Sequence, residues 1–257
     1  MTHLSVVGCG NMGGALLKGL SRSGRHTLVG CDIVADAREA VADYCTETTD
    51  DLAVAAEADV VVLAVKPDTV GDLLPALDLD SDQTLVSIAA GVSTDYLAEL
   101  TDAKIVRLMP NLNAETNNMA AAVTGAVDDE IRALLAEVGE FAEIDESQMD
   151  IATAVNGSGP AFVFYLIDAM AAAGVDSGLS DDDAETLAAQ TFKGAAETVL
   201  RADRSIDELI DAVCSPGGTT IEGMEVLWDS DVDSEVAAAV HAAEDRSREM
   251  AAEFSDE

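Results

Sequence analysis

The sequence predicts an α/β protein, with an N-terminal doubly wound parallel sheet followed by an all-helical C-terminal domain. Three observations carry this. Short apolar runs rich in Val, Leu and Ile alternate with helical segments through residue 146; a turn of the form GxGxxG follows the first run and opens a helix; and from about residue 147 the strand signal disappears. Two domains follow: 1–146, which the GxGxxG turn predicts to bind a dinucleotide, and 147–257, all-helical.

In chain order, THLSVV (2–7) is the first strand, and ALLKGLSRSG (15–24) is a helix closing at Gly24. HTLVGCD (26–32) and AREAVADYC (37–45) repeat the pair. ADVVVLAVKP (58–67), TLVSIAAG (84–91) and AKIVRLMP (103–110) supply further strands, with short helical segments between them. NMAAAVTG (118–125), the helix DDEIRALLAEVGE (128–140) and the strand-like FAEIDE (141–146) close the domain. Continuous apolar runs separated by helices describe a parallel sheet covered on both faces.

Beyond residue 147, MDIATAVNGSGPAFVFYLIDAMAAAG (149–174) reads as a long apolar helix interrupted around Gly157–Pro160. SDDDAETLAAQTFKGAAETVLRAD (180–203) begins with a cap at Ser180 and its partner Asp183, and two further helices flank SPGG (215–218). A helix apolar nearly all round must be covered, which predicts an intertwined dimer interface.

Composition narrows the function. The 257 residues include 50 acidic and 13 basic ones, for a formal charge of −37. Phosphate-dense partners need clustered Lys and Arg, so neither nucleic acid nor an acidic membrane surface is expected. The acids are spread along the whole chain, and four of the basic residues are lysines (Lys18, Lys66, Lys104, Lys193). This resembles proteins of salt-loaded cytoplasms and predicts a halophilic fold that self-repulsion destabilises in dilute buffer. No uninterrupted apolar stretch approaches the roughly 18 residues of a membrane span, and the first residues run straight into a structured motif, so a cytoplasmic location is expected. Cys9, Cys31, Cys45 and Cys214 are far apart without a CxxC pair, and His3, His26 and His241 lie outside every motif. No metal site is expected.

Gly8-Cys9-Gly10-Asn11-Met12-Gly13 fits GxGxxG after a strand and before a helix, and Asp32 ends the second strand 19 residues after Gly13. That context predicts a Rossmann-type dinucleotide site. Gly8 permits the tight turn, Gly10 the close approach of a pyrophosphate, and Gly13 the packing of helix on strand. Asp32 would accept from an adenosine ribose and repel a 2′-phosphate, but Arg38 stands close in sequence, so NADPH or NADH stays open. Lys66 falls at the carboxyl edge of a parallel strand, where ligands bind in such sheets.

CSPGGTTIEG (214–223) sets two glycines and two threonines at a helix start with no acid before Glu222. The N–H groups of Gly218, Thr219 and Thr220, with the Ser215 hydroxyl, are expected to form a hole for a small anion that needs no Lys or Arg.

VVGCGNMGGA, LAVKP, SIAAGV, RLMPN, NGSGPAFVF and above all CSPGGTTIEG, in this order along the chain, resemble pyrroline-5-carboxylate reductase. The resemblance implies reduction of L-1-pyrroline-5-carboxylate to L-proline with NADPH or NADH, the last step of proline biosynthesis. It implies that Val7, Gly8, Cys9, Gly10, Asn11 and Met12 line the pyrophosphate, that Ala64, Val65, Lys66 and Pro67 flank the nicotinamide half, and that Ala89 and Ala90 lie nearby. It assigns the Thr220 hydroxyl to the substrate nitrogen and carries Glu146 into the substrate pocket. It also implies a homodimer whose active sites use both subunits, and assembly of such dimers into a decamer. The sequence departs from the family pattern at Leu112-Asn113, in place of Thr-Pro, at Asn156 before GSGP, and at Phe162. Two alternatives remain at this level: another imine or β-hydroxyacid reductase of related fold, or a non-catalytic dinucleotide-binding protein.

Overall fold

The computed structural model describes residues 2–255. They form two compact units, one running through Ser158 and taking in the chain from His241 onward, the other Gly159–Val240.

In the first unit, strands β1 (His3–Val7), β2 (Thr27–Cys31) and β3 (Glu47–Thr49) alternate with helices α1 (Asn11–Ser21), α2 (Ala35–Val41) and α3 (Leu52–Ala55). The chain continues through β4 (Val60–Leu63), α4 (Val70–Leu77), β5 (Thr84–Ser87), α5 (Thr94–Ala98) and β6 (Lys104–Pro110). It then makes β7 (Met119–Gly125), α6 (Asp129–Leu135), β8 (Gly139–Glu143) and the short α7 (Met149–Ala152). Among the described residues the sheet has the order β3-β2-β1-β4-β5-β6-β7-β8.

The apolar runs sort themselves by parity. Leu4, Val6, Val60, Val62, Val86, Val106 and Leu108 join Leu16, Leu17 and Leu20 of α1 in one core, while Val7, Val61, Leu63 and Leu85 pack with Leu74, Leu77 and Leu97 in another. Alternate residues of a strand face opposite sides, so a run apolar at every position serves both layers, and each fully buried side chain contributes about 1.5–3 kcal/mol.

The structure corrects the sequence reading in several places. β3 (Glu-Thr-Thr) had no apolar signal because it is a short, polar edge strand. β4 and β5 end at Leu63 and Ser87, not at Pro67 and Gly91, so residues 64–66 and Ala89–Ala90 are loop at the carboxyl edge and Pro67 opens a 3-10 turn. β8 begins at Gly139, inside the predicted helix, and ends at Glu143. β7 runs antiparallel to β6 rather than parallel. The reason is the link: a single 3-10 turn, Leu112–Thr116, is too short for a crossover and allows only a reversal.

In the second unit, α8 (Gly159–Asp176) and α9 (Asp181–Arg201) precede α10 (Ile206–Val213), α11 (Thr219–Trp228) and α12 (Val232–Ser255), which runs on into the first unit and is one helix more than predicted. The interruption before α8 is a π-helical turn, Thr153–Gly157, closed by Ser158 N donating to Thr153 O at 3.1 Å. Ser180 caps α9 as predicted, accepting from Asp183 N at 3.2 Å. Phe164 is 64% exposed, Tyr165 74% and Trp228 57%. By length and composition the run Glu146–Asp176, with a mean hydropathy of 1.4 in its most apolar window, could cross a membrane. The sequence expectation had counted only uninterrupted apolar residues.

Candidate active site

The carboxyl ends of β2, β1, β4 and β5, neighbours in the sheet, bring together four predicted segments of the first unit: Asp32, Gly8–Gly13, Ala64–Pro67 and Ala89–Ala90. Strand order reverses between β1 and β4, which is where a doubly wound sheet opens a crevice. Gly8 N donates to Cys31 O, and Ala64 N to buried Val7 O, both at 2.8 Å, so the turn is stitched to both neighbouring strands.

Each glycine of the turn has a separate physical duty. Gly8 adopts φ +101°, and a Cβ there would lie 2.4 Å from Ala64 O. A Cβ on Gly13 would stand 1.9 Å from Gly8 O, so this glycine sets how closely α1 packs on the turn. A Cβ on Gly10 would meet nothing within 4 Å. The open space lies over the N-terminus of α1, whose cap Gly10 has no side-chain hydrogen bond and whose first turn holds no acid. The N–H groups of Asn11, Met12 and Gly13 have no carbonyl within the helix to bond, and the space above them suits a pyrophosphate. The residues present therefore fit a dinucleotide.

Asp32 borders this cradle, accepting from Cys9 N at 2.7 Å. Burial, helped by the Asp32 charge, pushes the Cys9 thiol up to about 12, so it stays protonated and serves as packing. Lys66 is exposed, Ala64, Val65, Pro67 and Ala90 are half-buried, and Ala89 is buried.

Glu146 opens a 3-10 turn after β8 and meets residues that sequence reading missed. Its Oε1 accepts from Arg107 Nη1 at 2.5 Å and from Thr94 N at 3.3 Å, and its Oε2 accepts from Thr94 Oγ1 at 3.3 Å. The Arg107 side chain is 7% exposed, and its Nε is buried without a partner. The available signal was a single arginine in the middle of the apolar strand KIVRLMP.

One departure from the family pattern, Asn156, is bonded to β6 and β7. Asn156 in the π-helical turn donates from Nδ2 to Met109 O at 2.7 Å and Ala120 O at 3.0 Å, while Asn111 Nδ2 donates to Asn156 O at 3.2 Å. These bonds tie the segment that carries Leu112-Asn113 to the start of the helical region.

In the second unit, Gly217 takes φ +70° and Gly218 N donates to Ser215 O at 2.9 Å, forming a tight turn into α11. The Gly218 N–H expected to hold an anion is therefore occupied. Thr219 and Thr220 occupy the first turn of α11, where N–H groups find no carbonyl within the helix, and Gly218 offers no side-chain cap. Ser215, Thr219 and Thr220 are exposed.

The sheet, its switch point and the glycine cradle define a Rossmann-type dinucleotide-binding unit, which a helical unit follows in the chain. The family described as pyrroline-5-carboxylate reductase dimerisation matches residues 146–250, and that described as NADP oxidoreductase, coenzyme F420-dependent, matches residues 3–91. The pyrroline-5-carboxylate reductase of Methanosarcina acetivorans is 36% identical, over 96% of this chain and 97% of the relative. The solved pyrroline-5-carboxylate reductase of Coxiella burnetii has a TM-score of 0.88 at 30% identity, covering 97% of this chain and 98% of that one. The solved Plasmodium falciparum pyrroline carboxylate reductase, with NADP bound, has a TM-score of 0.82 at 30% identity, covering 97% and 98%. The chain belongs to the pyrroline-5-carboxylate reductase family.

Proposed function

We propose that this chain reduces L-1-pyrroline-5-carboxylate to L-proline with NADH or NADPH, completing proline biosynthesis. The observation that carries the reading is the Ser215–Thr220 turn at an uncapped helix start, in a chain related to these reductases over nearly its whole length.

When bound, the reduced nicotinamide supplies the hydride. The chain's own residues position and stabilise. Val7, Gly8, Cys9, Gly10, Asn11, Met12 and Gly13 take the pyrophosphate, Asp32 the ribose, and Ala64, Val65, Lys66, Pro67, Ala89 and Ala90 flank the nicotinamide. The Ser215 hydroxyl with the N–H groups of Thr219 and Thr220 holds the substrate carboxylate, Gly218 shapes the turn, and the Thr220 hydroxyl orients the ring nitrogen. Glu146, held by Arg107 and Thr94, is assigned to the substrate. Fixed dipoles aimed at the reacting ring act without reorganisation, which is where such a site gains rate.

Residues 147–257 form the dimerisation and substrate domain in this reading. The exposed Phe164, Tyr165 and Trp228 then face a second copy rather than lipid. Dimers combine further into a decamer, and the enzyme works in the cytoplasm, without nucleic acid or membrane. The acidic surface is an adaptation to salt.

Oxidation of NADH and NADPH, followed by absorbance with pyrroline-5-carboxylate in molar KCl, tests the activity. Turnover is expected; a folded chain that oxidises neither cofactor would remove the reading. Light scattering in the same salt should give a dimer or a multiple of one.

A further inference from the structure

At the adenosine end of the cradle, both carboxylate oxygens of Asp32 are fixed by backbone donors. Oδ2 accepts from Cys9 N at 2.7 Å and Oδ1 from Val34 N at 2.8 Å. A carboxylate has about four acceptor sites, so Asp32 stands at the tip of β2 with capacity left for ribose hydroxyls.

The cation beside it is already engaged. Arg38 donates from Nη1 to the Asp32 carbonyl at 2.6 Å, and its Nη2 lies 3.4 Å from Asp50 Oδ2. Asp51 caps α3 by accepting from Ala53 N at 3.0 Å, and Asp36 lies in the first turn of α2. This end of the sheet therefore sets four carboxylates against one guanidinium. The Cys31 thiol senses the balance: burial chiefly pushes it up to about 11, and Asp32, Asp50 and Asp51 add to the rise while Arg38 opposes it.

We propose that this chain selects NADH over NADPH, Asp32 repelling a 2′-phosphate and Asp50 withholding Arg38 from it. The inference rests on the dinucleotide reading above and adds the choice that the glycine motif leaves open. A 2′-phosphate would bring its charge to contact distance of Asp32, where salt screens least. Its natural partner, a bidentate arginine, would have to leave both Asp50 and the Asp32 carbonyl. An unphosphorylated ribose brings no charge, and its hydroxyls can donate to the acceptor sites left on Asp32.

The test is direct binding, without substrate, by the fluorescence of the reduced nicotinamide, at the lowest salt at which circular dichroism reports a folded chain. The unmodified protein should bind NADH about tenfold or more tightly than NADPH. Asp32→Asn and Asp50→Asn should each shift the ratio of the two dissociation constants toward NADPH, and adding Arg38→Ala to Asp50→Asn should take that gain away. Asp50 is 67% exposed, so its variant remains informative if Asp32→Asn fails to fold. Equal or tighter binding of NADPH by the unmodified protein overturns the selectivity alone, as does a ratio that neither substitution moves. A folded chain that binds neither cofactor overturns the dinucleotide reading and this inference with it.

Discussion

Arg107, in the middle of β6, donates to Glu146 at 2.5 Å across 39 residues of sequence. The bond joins the sheet to the turn from which the helical region starts, and Thr94 at the head of α5 completes it. Removing the arginine leaves a part-buried carboxylate without its cation. Arg107→Met should therefore cost about 1–3 kcal/mol, less than a fully buried pair because Glu146 is 34% exposed. It should also lower kcat/KM under conditions where the variant is folded, and Arg107→Lys should recover part of both. Denaturant titration alongside steady-state kinetics checks this; unchanged stability and turnover would make the pair incidental.

Gly10 and Gly13 should separate folding from binding. A Cβ at Gly10 meets nothing within 4 Å, and its backbone lies in extended space at φ −69°, so Gly10→Ala should change stability by no more than about 0.5 kcal/mol. The methyl would nonetheless fill the approach to the α1 N-terminus, and dinucleotide affinity should fall about tenfold or more. Gly13→Ala would put a Cβ 1.9 Å from Gly8 O, where only backbone can yield, and should destabilise the fold by about 1–3 kcal/mol or more. Thermal melts and cofactor titrations of the two variants should diverge in opposite senses.

The contrast explains what sequence could deliver. The GxGxxG turn was legible because Gly8 and Gly13 answer local backbone demands, while Gly10 keeps space open at the helix start, and the spacing records all three. β4 and β5 were legible as apolar runs, but their ends were not, since Ala64, Val65 and Ala89 are apolar whether in the sheet or just beyond it. β3 carries no apolar residue to betray it, and the reversal at β7 depends on the length of a link rather than on the strand itself. Arg107 and Asn156 could be read only as oddities, because their partners are set by the fold.

Thr220 lies in the first turn of α11, after a turn that occupies the Gly218 N–H. The proposed function puts its hydroxyl on the ring nitrogen, and on that proposal Thr220→Ala should lose about 2–4 kcal/mol of transition-state stabilisation in kcat/KM while cofactor affinity stays the same. Thr220→Ser keeps the hydroxyl and should lose about tenfold at most. Near-normal turnover by the alanine variant would remove Thr220 from this role.

Glu137 gives a pH dependence with a definite sign. Burial alone would push its carboxyl up, but hydrogen bonding by His26 and the charge of Arg25 outweigh this and hold it below its ordinary range. His26 Nε2 stands 3.0 Å from Oε2, and Arg25 Nη2 2.5 Å from Oε1. A carboxyl depressed on folding adds stability that is complete above the unfolded value of about 4.3 and is lost as pH falls through the lower folded value. Glu137→Gln should therefore destabilise the protein near neutrality, and the gap between variant and parent should close at acid pH. Urea midpoints between pH 7 and pH 3 read it directly, and a gap independent of pH would assign the effect to packing.

The charge of −37 makes the last prediction. Where ions pair, one cation often serves several acids: Arg132 meets Asp129 and Glu143, and Arg246 meets Glu249 and Glu253. With 50 acids and 13 basic residues, cations are too few to give each carboxylate a partner of its own, and exposed pairs contribute at most about 1 kcal/mol each. Local pairing cannot offset the summed repulsion. Salt can, because the Debye length falls from about 10 Å at 0.1 M to about 3 Å at 1 M, shorter than most spacings between surface charges. The melting temperature should rise steeply with KCl from dilute buffer into the molar range. KCl and NaCl should act alike if screening is the cause, whereas ammonium sulfate should add a further increment through burial of apolar surface. A melting temperature already at its plateau in dilute buffer would show that the acidic surface is tolerated without salt and would end the halophilic reading.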